Sequence, residues 1–344
     1  MPFRDVIGHR TLVALLARAV RRGSLPPSLI LAGPEGVGKR LLAVATAQAL
    51  NCPAARATPE AADHAASPIE VDACGTCATC TRIARGVHPD VLIVEPGDSG
   101  AIKIDQVRDL IDRAAYRPFE GRRRVVIIDQ ADALVPQAQN ALLKTLEEPP
   151  SLSVFMLVTS RPDALLPTVR SRCPRLRFRP LGPADVAAAL VSRGRTAAEA
   201  RVLAATANGS IGRALAASVG ELEEAREVAV RVLTQAGSDD DPRRRIAGAK
   251  DLVAKTGGGG AGDREQLAIH LRAMASLIRD VELLSTSADP RALANPDVQP
   301  ALERLAAYGG ERGVRAFTAV DRALVALDRN AGVKLVADWL VLQL

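Results

Sequence analysis

The chain has 344 residues, 48% of them hydrophobic, and a formal net charge of +6, which is length and apolar content enough for two or three domains with buried cores. No apolar run reaches the ~18 residues of a membrane span and no leader-like segment opens the chain. A cytoplasmic protein with no membrane contact is therefore expected, and its five cysteines point to metal binding or packing rather than disulfides. Aromatic residues make up only 2%, so the cores must be built from Ala, Leu, Val and Ile, which favours helices. The charge alone is too modest to argue for nucleic acid.

In chain order, Val6, Ile7, Leu12, Leu15, Leu16 and Val20 recur at helical spacing among arginines, predicting an amphipathic helix over 5–22 that Pro26 and Pro27 end. A short apolar strand, Ser28 to Ala32, then runs into Gly33-Pro34-Glu35-Gly36-Val37-Gly38-Lys39-Arg40, and residues 41–50 read as the helix that follows. Strand, glycine loop and helix are the order a phosphate-binding loop needs. Gly33, Gly36 and Gly38 let backbone N–H groups close on phosphates, and Lys39 supplies the cation for them. The last position should carry a Ser or Thr hydroxyl for Mg²⁺, but here it is Arg40.

Residues 53–73 are rich in Ala and Pro and read as an irregular excursion. Cys74, Cys77 and Cys80 follow at x₂ spacing, with Cys52 upstream. Together they can offer four thiolates to one tetrahedral Zn²⁺, which would be structural because no coordination position is left open. Free surface thiols are the alternative.

Residues 91–94 read as a strand and 104–115 as a helix. Val125 to Ile128 is a buried strand ending in Asp129, the position of a Mg²⁺-binding acid, and Gln130 stands where a hydrolytic enzyme has a water-activating carboxylate. A helix over 136–148 carries Leu142-Leu143-Lys144-Thr145-Leu146-Glu147-Glu148 and is stopped by Pro149 and Pro150. Glu147 and Glu148 diverge on that helix and are read as ion-pair or cap residues. Residues 154–158 form a further buried strand with Thr159 at its carboxyl end, where ligands of an open α/β sheet sit. Ser171-Arg172-Cys173 and a closing strand at 176–178 follow. The Arg122-Arg123-Arg124 run reads as a solvated loop, with contact to DNA phosphates as the alternative. From residue 181 the pattern is helical throughout, with a glycine linker at 257–262 after a basic helix carrying Arg243, Arg244, Arg245, Lys250 and Lys255.

The glycine loop, the four cysteines, His88-Pro89-Asp90, the Leu142 to Pro150 run and the Ser-Arg-Cys triplet resemble the delta-prime family of bacterial DNA polymerase III clamp-loader subunits, which are AAA+ proteins. The resemblance covers residues 5–217 by motif and the rest by architecture. It implies an α/β AAA+ P-loop domain over 1–180, with a parallel sheet, flanking helices and a zinc insertion at 52–80. A small helical lid over 181–217 and an all-helical collar over 218–344 would follow. It further implies a stator without ATPase activity of its own, set in a hetero-pentameric ring with gamma/tau and delta subunits that loads a sliding clamp on primed DNA. Arg172 would then be an arginine finger offered in trans to a neighbour's ATP. Arg40, Gln130 and Gly212, which stands where motor subunits carry a lid arginine, depart from the motor pattern. The surviving Lys39 and Asp129, with Thr159 as a sensor position, leave ATP or ADP binding open. An active gamma/tau-type motor is the alternative function.

Overall fold

The computed structural model describes residues 1–57, 69–97, 99–239, 241–253, 261–286 and 293–344. The chain divides into two compact units, Met1–Leu181 and Gly182–Leu344. Residues 58–68 of the excursion after Cys52, Lys255 of the basic helix and the linker glycines at 257–260 lie outside the described residues.

The first unit is built on a five-stranded parallel sheet of β1 (Ser28–Ala32), β4 (Val91–Val94), β5 (Arg124–Ile128), β6 (Ser153–Thr159) and β7 (Arg175–Arg177), in the spatial order β4-β5-β6-β1-β7. Strands β1, β5 and β6 are buried along their whole length, as their continuous apolar runs require of strands covered on both faces. One face packs on α1 (Arg10–Arg22) and α2 (Lys39–Asn51), through Leu16, Leu29, Leu31 and Leu42. The other packs on α4 (Ile104–Ala115) and α5 (Pro136–Glu147), through Ile30, Leu110, Val126 and Leu142. Between β1 and β4 the chain makes a two-stranded antiparallel ribbon, β2 (Arg56–Ala57) and β3 (Val71–Asp72), and the short helix α3 (Ala78–Ala84).

The first helix starts later than its apolar spacing predicts. Gly8 and His9 both take left-handed backbone angles (φ 67° and 49°), which breaks the helical path, and α1 begins at Arg10. Phe3 and Val6 still reach the core, from a 3₁₀ turn at Phe3–Asp5. Asp72 holds this turn by accepting the Phe3 amide at 2.8 Å and the Arg4 guanidinium at 3.0 Å.

The second unit is all helical: Pro183–Val191, Ala197–Thr206, Ile211–Ala216, Val219–Ser238, Pro242–Val253, Ala261–Ser285, Gln299–Arg304, Glu311–Asp328 and Val333–Gln343. Its core is Ala, Leu, Val and Ile with Met274 and Tyr308, as the scarcity of aromatic residues requires. Ser210 caps the third of these helices, accepting the Arg213 amide, so Gly212 and Arg213 lie in its first turn. Asp280, fully buried, accepts the Ala294 and Asn295 amides at 3.1 and 2.7 Å and the Asn295 side chain at 2.8 Å, which fixes the chain where it returns after the long helix. No helix among the described residues is long and apolar enough to cross a membrane.

Candidate functional site

In a parallel sheet every strand delivers its carboxyl end to the same edge. Register here pairs Ala32 with Thr159, Ile128 with Leu157 and Val94 with Ile128. The glycine loop after β1, Asp129 after β5, Thr159 at the end of β6 and Glu95 after β4 are therefore neighbours. The geometry of the loop depends on its glycines. Gly33 runs so close to Phe178 that a Cβ would lie 2.5 Å from the Phe178 carbonyl oxygen, while Gly36 and Gly38 take positive φ of 70° and 101°. Gly38 is the N-cap of α2, whose first-turn amides and dipole face the loop.

The charges at this edge satisfy one another. Lys39 is buried and donates to the carbonyls of Gly33 and Pro34 at 2.7 and 2.5 Å. Arg40 places one guanidinium nitrogen 3.1 Å from Asp129 Oδ2 and pairs with Glu95 through another. A cation thus sits on Asp129, contributed by the loop position where the sequence pattern expects a Ser or Thr hydroxyl. Gln130 follows in a left-handed conformation, φ 50°. Thr159 is buried, and its hydroxyl donates to Asp132 Oδ1 at 2.8 Å and accepts the Arg161 amide at 3.0 Å. Burial works to raise the Asp132 pKa, but the Thr159 hydroxyl and Arg161 outweigh it and hold it below its ordinary value. Asp132 carries no motif spacing that would have announced this role.

Arg172 belongs to the same unit. Its backbone follows the short helix α6 (Pro167–Arg170), and the neighbouring Cys173 is packed in the core with Leu165 and Val169. Burial pushes the Cys173 thiol up to about 11 against the pull of Arg172, so it is a packing residue. The guanidinium stays at the surface and turns back on its own chain. Nε donates to Glu147 at 2.7 Å, a terminal nitrogen donates to the same carboxylate, and the other donates to the Thr168 carbonyl at 2.8 Å. The ion-pair role read for Glu147 from the sequence has Arg172 as its partner.

Cys52, Cys74, Cys77 and Cys80 converge, with all four sulfurs within 4.8 Å of one another. Cys52 and Cys80 are buried, unlike surface thiols. The sulfur–sulfur separations are 3.6 Å for Cys52–Cys74, 4.0 Å for Cys52–Cys77 and 3.9 Å for Cys74–Cys80. Tetrahedral Zn²⁺ with bonds of about 2.3 Å would space its sulfurs about 3.8 Å apart, so the donor set and its dimensions fit that ion. Amides of Cys74, Cys77 and Cys80 point at the sulfurs of Cys52, Cys74 and Cys77, at 3.5, 3.3 and 3.4 Å, as suits thiolates. The amides of Cys77 and Thr76 pull the Cys74 thiol down to about 6, whereas burial raises those of Cys52 and Cys80.

The arginine run at 122–124 is not uniformly solvated. Arg122 is exposed, but Arg124 is buried and its guanidinium meets Asp90 at 2.8 Å. Asp90, fully buried, also accepts the amides of Phe119, Glu120 and Gly121 at 2.6, 2.9 and 2.7 Å. The Asp of His88-Pro89-Asp90 is thus a pin for the loop that enters β5.

Residues 8–182 match the DNA polymerase III, delta subunit family. The DNA polymerase III subunit delta′ of Pseudomonas aeruginosa is 38% identical over 161 residues, 46% of this chain and 45% of that protein. Subunit gamma/tau of Mycobacterium tuberculosis is 35% identical over 188 residues, 55% of this chain and 30% of that protein. The matched region spans less than half the length of either relative. Among solved structures, a DNA polymerase III gamma subunit-related protein of Thermotoga maritima superposes with a TM-score of 0.39 at 16% identity, covering 95% of this chain and 97% of that one. With the match to the family spanning just over half of its residues, the chain belongs to the DNA polymerase III delta subunit family.

Proposed function

We propose that this chain is the delta-prime stator of a DNA polymerase III clamp loader, a cytoplasmic subunit that hydrolyses no ATP itself and supplies Arg172 in trans to a neighbouring motor. It would sit in a hetero-pentameric ring with gamma/tau and delta subunits, supporting ATP-dependent placement of a sliding clamp on primed DNA. The observation that carries this reading is the Arg40–Asp129 ion pair at 3.1 Å. Mg²⁺ neutralises and orients the phosphates in this class of reaction, and a guanidinium on its acidic ligand competes with it directly. Gln130 in place of a general base supports the same reading. So does Gly212 where a motor would carry its lid arginine. Residues 181–217 and 218–344 would serve as lid and ring-forming collar, and the four cysteines as a structural zinc module.

The gamma/tau relatives keep an active motor as the second reading. Mg²⁺-dependent ATP hydrolysis by the purified chain separates the two. No turnover above background is expected, whereas turnover abolished by Lys39→Ala would move the chain to the motor class. Arg172→Ala should leave folding intact and lower ATP turnover of the assembled loader, by on the order of 10³-fold at the one motor site the finger reaches. Unchanged turnover in the assembled complex would remove the finger from the proposal.

A further inference from the structure

All three guanidinium nitrogens of Arg172 are engaged within the chain, two on Glu147 and one on the Thr168 carbonyl. The fork that Nε and one terminal nitrogen form is taken up by Glu147, so it cannot grip a phosphate in two-point fashion until it leaves that carboxylate. Its backbone is anchored by the buried Cys173 and Val169, so exchange between the two states lies in side-chain rotamers alone. Glu147 is the last residue of α5, where the helix dipole disfavours a carboxylate, and a cation beside it offsets that cost. Resting on the reading of Arg172 as a trans finger, we propose that Glu147 is a positioning residue that stores the guanidinium in this chain and competes for it with the neighbouring subunit's nucleotide phosphate.

The pair is partly exposed, with side chains 32% and 48% accessible, so the latch is of the strength at which a phosphate can displace it. Storage lowers the fraction of finger free to be delivered, and kcat/KM of the loader falls by that fraction whether Arg172 first engages ATP in the ground state or in the transition state. In the loader assembled from the full chain with its partner motor and delta subunits, Glu147→Gln should raise kcat/KM for ATP about two- to fivefold. Glu147→Asp, which keeps the charge but is one methylene shorter, should fall between. In the Arg172→Ala background Glu147→Gln should do nothing, a coupling that a merely structural glutamate would not show. In the isolated chain, the Arg172 Nε–H should exchange with solvent more slowly in the native protein than in Glu147→Gln, as seen by NMR. Equal kcat/KM for Glu147→Gln and native chain, with Arg172→Ala still impaired, would overturn the latch and leave the finger standing. No effect of Arg172→Ala would remove both.

Discussion

Asp90→Ala is expected to destabilise the protein by about 3–5 kcal/mol, measured as a fall in the denaturant midpoint at neutral pH. The carboxylate is 0% exposed and is the shared acceptor of three loop amides and of Arg124, itself 7% exposed. Alanine leaves a buried guanidinium without its counter-ion and three donors without an acceptor, and the entrance to β5 must rearrange or take in water. The same contacts predict an acid limb. Burial alone would raise the Asp90 pKa, but the amides of Glu120, Phe119 and Gly121 with Arg124 outweigh it and hold it at about 2, below 3.8. Because the folded value lies below the unfolded one, the contribution is complete above the unfolded pKa of 3.8 and is lost as pH falls toward about 2. At about 1.36 kcal/mol per pH unit it is worth about 2 kcal/mol. Asp90→Asn should lack that part of the acid-dependent loss. A midpoint for Asp90→Ala within error of the native one would mean that the 119–121 loop is not pinned by this residue.

The sheet was legible because its strands are short β-branched runs set between helices of clear apolar period. Val91–Val94 and Ile104–Ala115 fall where the pattern puts them. The phosphate loop, Asp129 and Thr159 could be placed on one edge from the sequence alone, since a parallel sheet sends all its carboxyl ends there. The start of α1 was not legible, because Val6 and Ile7 continue the helical spacing through a backbone break that only the left-handed angles at Gly8 and His9 reveal. The ribbon of β2 and β3, two residues each, is too short to leave a period. Partner choice was the other hidden layer. Thr159 and Asp132, Arg172 and Glu147, and Arg124 and Asp90 are 27, 25 and 34 residues apart, and no local spacing rule links them. Each pair is decided by where the sheet and its helices set the backbone, so charged residues that looked solvated or catalytic acquired internal partners.

Removal of the metal is expected to have the largest effect on the first unit. One zinc ion per chain should be found by elemental analysis, and Cys77→Ser should lose it. Among the described residues the module is tied to the rest of the unit by Ile83 in the sheet-face core, by Asp72 on the Phe3 turn and by the Gln48 bond to the Cys80 carbonyl, but it has little apolar core of its own. Its apolar cluster is Cys52, Ala73 and Cys80, with Ala55, Cys74 and Cys77 packed against it, and its ribbon is two residues long on each side. Cys77 is also the N-cap of α3, so a ligand sulfur and the helix start are one residue. Binding of zinc to four such ligands contributes on the order of 10 kcal/mol in small zinc domains, and here it would be the one link that joins all four cysteines. Chelation should therefore open the segment around residues 69–84 to hydrogen exchange and proteolysis while the parallel sheet, with its own two-sided core, persists. Cobalt substituted for zinc should give the intense visible bands of a tetrahedral tetrathiolate site. A metal-free chain equally protected from protease, with Cys77→Ser matching it in stability, would leave the four cysteines as packing and withdraw the zinc assignment.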